Sequence, residues 1–183
     1  GKTRVEGAES YLNFLNSTFF ESQISKREIN ECIDLICFQK NNLFRETAKG
    51  RLRVFDDAIN FIQKISRAKI DMCVYTSSKN GLFILSELKL SGYFKEILSG
   101  TELQAMNLRS KPHHDGYSYL LKNNSFSKSK TLIFEDAESG VKAANCSGAI
   151  AVGVYRSGTE VEKNKLISSG AQYTINSFDE IDN

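Results

Sequence analysis

Proline, histidine and long apolar runs are what this chain has least of. The 183 residues contain one proline, Pro112, and two histidines, His113 and His114. Cysteine is sparse too: Cys32, Cys37, Cys73 and Cys146 form no CxxC pair, and no histidine stands at zinc-like spacing from them. A structural zinc site and a disulfide framework are therefore not expected, and the thiols read as reduced structural side chains. The longest apolar stretch, GAIAVGVY at Gly148–Tyr155, falls far short of the roughly 20 residues a bilayer span needs. The opening GKTRVEGAES has neither an apolar signal core nor a small-residue cleavage site, so nothing in it indicates export, which favours the cytoplasm. Charge of one sign is lacking as well. With 24 Lys+Arg against 22 Asp+Glu the formal net charge is +2, and no basic run interleaves with aromatics. Nucleic acid and membrane are thus not expected partners, and oligomeric state is left open. No internal repeat, low-complexity tract or charge block stands out.

What is present is enough apolar residue, 40%, for a real core in one domain plus a small appendage. Residues 1 to about 50 read as helical. Tyr11, Leu12, Phe14 and Leu15 cluster, Ile29, Ile33, Ile36 and Cys37 recur at helical spacing, and Ser25 with Glu28 forms a capping box between two helices. The basic, glycine-containing stretch around Lys49–Arg53 suits an exposed hinge. From residue 51 the pattern alternates: a helix over Asp56–Arg67, the strand IDMCVY, a helix from Gly81 to about Leu90, and a short extended piece at Ile97–Leu98. A loop at Leu103–His114 then leads to a helix at Asp115–Leu121, the strand TLIF, a helix at Ser139–Cys146 closed by Gly148, the strand AIAVGV, a helix at Val161–Ser168 and the strand AQYTI. Strands that are apolar throughout and alternate with helices imply an α/β fold with a Rossmann-like parallel sheet covered on both faces. The domain reading is 1–50 helical and 51–183 α/β.

In such sheets, ligands bind beyond the carboxyl ends of the strands. Three groups stand there. Thr76, Ser77 and Ser78 follow the strand IDMCVY, where hydroxyls and amides at a helix start suit either a phosphate or a simple cap. Lys111, in a loop stiffened by Pro112, is either a solvated lysine or an ammonium that neutralises a phosphoryl group. Glu135 and Asp136 follow TLIF directly, and serve either a helix dipole or a hard cation such as Mg²⁺. The order of the three is what points to Mg²⁺-dependent chemistry on phosphate esters. His113 and His114 read as loop surface.

On these motifs the chain resembles the haloacid dehalogenase superfamily of phosphotransferases, in its β-phosphoglucomutase-like branch. The similar segments are TSSKNGLFILSELKLSGYF at Thr76–Phe94, the Lys111-Pro112 pair, and FEDAESGVKAANCSGAIAVGV at Phe134–Val154. The resemblance implies a Rossmann-like core preceded by a partial helical cap, with Thr76 donating to the phosphoryl group and Lys111 neutralising its charge. It further implies that Glu135 and Asp136 hold or orient Mg²⁺, Asp136 directly and Glu135 partly through water. Ser77, Ser78, Lys79 and Asn80 would line the phosphate or sugar. It extends into the helical part, where GKTRVEGAESYLNFL is similar to a cap segment with a substrate-contacting arginine, here Arg4, and QKNN supplies Lys40 and Asn41. The plain reading of these three is helix polarity in solvent.

The chain departs from the family pattern at His114, where a second proline is usual, at Ala137, where serine is common, and above all at the start. Family members open with an apolar strand ending in Asp-x-Asp, whose first aspartate attacks phosphorus and whose second acts as general acid and base. No Asp-x-Asp occurs in the 183 residues; Asp56 and Asp57 of VFDDA read as helix N-terminal carboxylates instead. By resemblance that strand would lie between the strands ending at Tyr75 and Phe134. Leaving its slot empty would orphan buried backbone groups at about 1–3 kcal/mol each, so the expectation is a C-terminal portion of a longer enzyme, inactive by itself. The resemblance leans towards a small sugar phosphate as substrate, with phosphatase and mutase both open. The alternatives are a non-catalytic pseudoenzyme or phosphate-binding module of the same fold and, more remotely, a response-regulator-like receiver.

Overall fold

The computed structural model describes residues 4–19 and 25–182, and the chain divides into two compact units, 1–52 and 53–183. In the first, helix α1 (Arg4–Phe19) packs against α2 (Lys26–Ala48). Ser25 caps α2 through the expected box: its side chain accepts from the Glu28 amide, and the Glu28 carboxylate accepts from the Ser25 amide at 3.0 Å. Ile29, Ile33 and Ala48 are buried, whereas Tyr11, Phe14, Leu35, Phe38 and Leu43 are exposed.

The second unit alternates helix and strand. Helix α3 (Asp56–Arg67) precedes β1 (Cys73–Tyr75), α4 (Gly81–Glu87), β2 (Glu96–Leu98) and α5 (Gly100–Ala105). Then come α6 (Asp115–Asn123), β3 (Leu132–Glu135), α7 (Glu138–Ser147), β4 (Ile150–Val154), α8 (Glu160–Ser168) and β5 (Tyr173–Ile175). All strand pairs are parallel, as uniformly apolar strands joined by helices require. The fold is the expected α/β class. The pairing, however, forms two sheets: β1 with β2 in the register Val74 to Ile97, and β3–β4–β5 with Phe134 opposite Val152 and Gly153 opposite Thr174. Strands β1 and β3 do not pair with one another.

Two differences from the sequence expectation have local causes. The strand expected over IDMCVY shortens to Cys73–Tyr75, because the backbone is still closing α3 at Ile70, whose amide donates to Ile65 O at 3.2 Å. Part of the expected loop from Leu103 is helix α5, nucleated by a second capping box in which Ser99 accepts from α5 amides and its own amide donates to Glu102 at 2.9 Å. Gly148 closes α7 at φ +83°, a left-handed conformation that glycine adopts without a Cβ penalty.

Alternation along the strands sorts side chains to two faces. Ile133 and Ala151 enter one cluster with Tyr75, Leu98, Tyr117, Leu120, Leu121 and Val141, under α6 and α7. Their neighbours Phe134 and Val152 enter the other, where Phe61 of α3 stacks on Phe178 with ring centroids 5.0 Å apart and meets Phe134 edge-on at 5.6 Å. Helix α6 packs on β1 and β2, α7 packs on β3 and β4, and the two helices pack on each other. One shared core therefore holds the two sheets with their C-terminal ends together. Arg156, after β4, reaches across to Asp57 at 2.5 Å, and the same carboxylate oxygen accepts from Ser177 Oγ at 2.9 Å and the Phe178 amide at 2.8 Å. Asp57 thus does more than face a helix dipole: it ties α3 to the end of the chain.

Candidate active site

The site is built on the ends of β1 and β3. Strand β1 delivers Thr76, whose amide continues the ladder by donating to Leu98 O at 2.9 Å. Its hydroxyl then accepts from the Ser78 amide at 3.2 Å, and Ser78 Oγ accepts from the Asn80 amide at 3.2 Å. These turns, each a side-chain oxygen bonded to an amide two residues on, coil 76–80 tightly before α4. Ser77 and Lys79 are exposed, Thr76 and Ser78 half-buried, and Asn80 buried.

Lys111 comes from the turn before α6 and is joined to Pro112 by a cis peptide. Its ammonium donates to Tyr75 O at 3.3 Å, pairs with Glu135 Oε1, and lies 4.6 Å from the centroid of the Tyr75 ring and 5.5 Å from that of Tyr117. It is therefore no solvated lysine. A single ammonium bridges the end of β1 and the end of β3. Arg109 secures the same turn to the first residue of α6: it grips Asp115 through Nε and an Nη, each at 2.9 Å. His113 and His114 are exposed, as expected, and His114 Nδ1 lies 2.9 Å from Ser118 Oγ.

Glu135 ends β3 and is buried. Its Oε1 accepts from Lys111 and from the Tyr117 hydroxyl, while Oε2 rests against Gly140 of α7, where a Cβ would collide with the carboxyl group. Burial and the Glu135 charge beside it push the Tyr117 phenol far above its ordinary range, so it stays protonated as a donor. Asp136 follows at the surface, just ahead of α7. Two hard oxygen donors at adjacent positions fit a cation such as Mg²⁺, which takes one or two protein carboxylates and fills its remaining positions with water and phosphate oxygens. No group of three or more His, Cys, Asp or Glu that could hold a metal occurs among the described residues.

Thr76, Lys111, Glu135 and Asp136 are thus brought to one edge, with 77–80 beside them. Lys40 and Asn41 lie in α2, exposed and half-buried respectively, in the other unit. Arg4 opens α1, and its side chain lies outside the described residues. The glycine that closes the Glu-Asp-x-x-x-Gly pattern, Gly140, stands out in the sequence, whereas Tyr117 does not; the signal available for it was its placement on the inward face of α6.

The family model for haloacid dehalogenase-like hydrolases matches residues 3–154. The chain belongs to this family. Within the haloacid dehalogenase-like hydrolases its resemblance is to the β-phosphoglucomutase-like branch. It is 22% identical over 183 residues to a β-phosphoglucomutase of Mycobacterium bovis, covering 99% of this chain and 70% of that protein. It is 29% identical over 110 residues to a phosphorylated carbohydrates phosphatase of Thermotoga maritima, covering 60% of this chain and 48% of that one. Its fold is similar to the crystal structure of a β-phosphoglucomutase from Clostridium difficile, with a TM-score of 0.74 and 20% identity over 99% of this chain and 74% of that one.

Proposed function

We propose that this chain carries the phosphate- and cation-binding half of a Mg²⁺-dependent phosphotransferase acting on small phosphate esters, sugar phosphates foremost. The observation that carries the reading is the convergence of Thr76, Lys111 and the Glu135-Asp136 pair at the ends of two parallel strands that do not pair with each other. In it, the coil at 76–80 takes the phosphoryl oxygens, Thr76 and the adjacent amides donating to them. Lys111 supplies a fixed positive charge where negative charge grows during transfer. Asp136 and Glu135 would hold Mg²⁺, which when bound neutralises and orients the phosphate. Names among the relatives, a mutase and a carbohydrate phosphatase, support a sugar-phosphate substrate and leave the acceptor open between water and a sugar hydroxyl. The attacking carboxylate is not among these residues, and the separation of β1 from β3 supports a slot for the strand that would bring it. Residues 51–183 would then be the core and residues 1–50 part of a cap that carries Arg4, Lys40 and Asn41.

The intact protein should release phosphate from a sugar-phosphate panel, or interconvert glucose 1-phosphate when primed with a bisphosphate, only when Mg²⁺ is present. Thr76→Val and Lys111→Met should each lower turnover by about 10²-fold. Turnover unaffected by chelation and by Asp136→Asn would overturn the reading. A second reading, a phosphate-binding module without turnover, draws on the absence of Asp-x-Asp from the sequence. Saturable Mg²⁺ and sugar-phosphate binding with no product from the intact protein would establish it instead.

A further inference from the structure

We propose that Tyr117 is a positioning residue for the cation site, its hydroxyl holding the Glu135 carboxylate and its ring holding the Lys111 ammonium, so that the two charges are set as one preassembled pair. The inference rests on the reading of Glu135 and Asp136 as the Mg²⁺ carboxylates. Tyr117 is buried in α6, which packs on β1 and β2, and reaches Glu135 at the end of β3. Its ring is fixed in a T-shaped contact with Tyr75, centroids 4.8 Å apart at 78°, and Lys111 lies over both rings. Glu135 is thereby enclosed by Lys111, the Tyr117 hydroxyl and the bare Cα of Gly140. A carboxylate held on three sides loses little rotamer freedom when it engages a cation, and partners behind metal ligands set ligand orientation in this way. Asp136, exposed and without such a hold, would bind the metal by charge and proximity alone. The proposal divides the pair: Glu135 is the preset member and Asp136 the mobile one.

Calorimetric titration of the chain with MgCl₂ tests this without any turnover. Tyr117→Phe keeps the ring, its contact with Tyr75 and its place over Lys111, and removes only the hydroxyl. It should weaken Mg²⁺ binding about tenfold, while cooperative unfolding is retained. In a Glu135→Gln background the same change should have no further effect, because the two side chains act as one unit. Wild-type affinity in Tyr117→Phe, or an equal loss with and without Glu135, would overturn the positioning role and leave the cation site standing. If the chain binds no Mg²⁺, or if Glu135→Gln and Asp136→Asn both leave its affinity unchanged, the cation site itself fails and the role of Tyr117 falls with it.

Discussion

The Lys111 ammonium and the Glu135 carboxylate form an ion pair that is largely withdrawn from water, their side chains 15% and 8% exposed. Such a pair costs desolvation on both sides and is stable only when the remaining hydrogen-bonding capacity is met. Part of it is met here: Tyr75 O takes one lysine proton, and the Tyr117 hydroxyl donates to the carboxylate oxygen that pairs with Lys111.

Removing one member should therefore hurt more than the worth of the pair. Lys111→Met would leave a buried carboxylate with one neutral donor, and a loss of about 3 kcal/mol in unfolding free energy is expected. Urea unfolding reads it directly; a midpoint equal to wild type would mean the pair is solvated in solution.

Gly140→Ala places a methyl group against the Glu135 carboxylate. The side chain must turn away from Lys111 and Tyr117 or α7 must shift, at an expected cost of about 1–3 kcal/mol. Alanine ordinarily stabilises a helix relative to glycine by about 1 kcal/mol, so even a neutral result would be informative about the collision, and a stabilised variant would refute it.

Stability should fall in acid through Asp57 and Asp115. Burial raises Asp57, but hydrogen bonds from Arg156, the Phe178 amide and Ser177 outweigh it and hold the carboxyl well below its ordinary range. The Arg109 side chain, helped by its amide and charge and opposed by burial, lowers Asp115 to about 2. Both folded pKa values lie below the unfolded value of about 3.9, so their stabilisation is complete above that pH and is lost as pH falls below it towards each folded pKa. Urea midpoints measured from pH 6 downward should decline below about pH 4, and Asp57→Asn should flatten part of that decline while lowering the plateau. A wild-type slope retained in Asp57→Asn would remove Asp57 from the account.

Ser99→Ala deletes the cap of a six-residue helix. The expected loss is about 1 kcal/mol, seen in the same denaturant titration, and it tests whether α5 is held by its capping box or only by the buried Leu103.

Much of the fold could be read from the order of apolar runs, since helix α3, the core of each strand, the Ser25 cap and the Gly148 terminus depend on residues within a few positions of each other. Helix α5 is equally local, but its Ser99–Glu102 box opens a helix of only six residues, too short to show an apolar period. The site was legible as three strand-end motifs, which is a matter of position along the chain. What escaped is long-range: Tyr117 meets Glu135 from 18 residues away, and Asp57 meets Arg156 from 99 residues away. Helical periodicity can say that Tyr117 points inward, but not which carboxylate it will find.

The division of the strands into pairs and threes has a consequence for motion. Strands β1 and β2 pair over three residues each, and a two-stranded ribbon of that length is marginal without the helices that cover it. Amide protons of Val74 and Tyr75 should accordingly exchange with deuterium through smaller openings than those of Val152 and Gly153, which are flanked on both sides in the central strand β4. The edge that carries Thr76 would then be the part of the molecule that breathes, and the edge that carries Glu135 the part that stays.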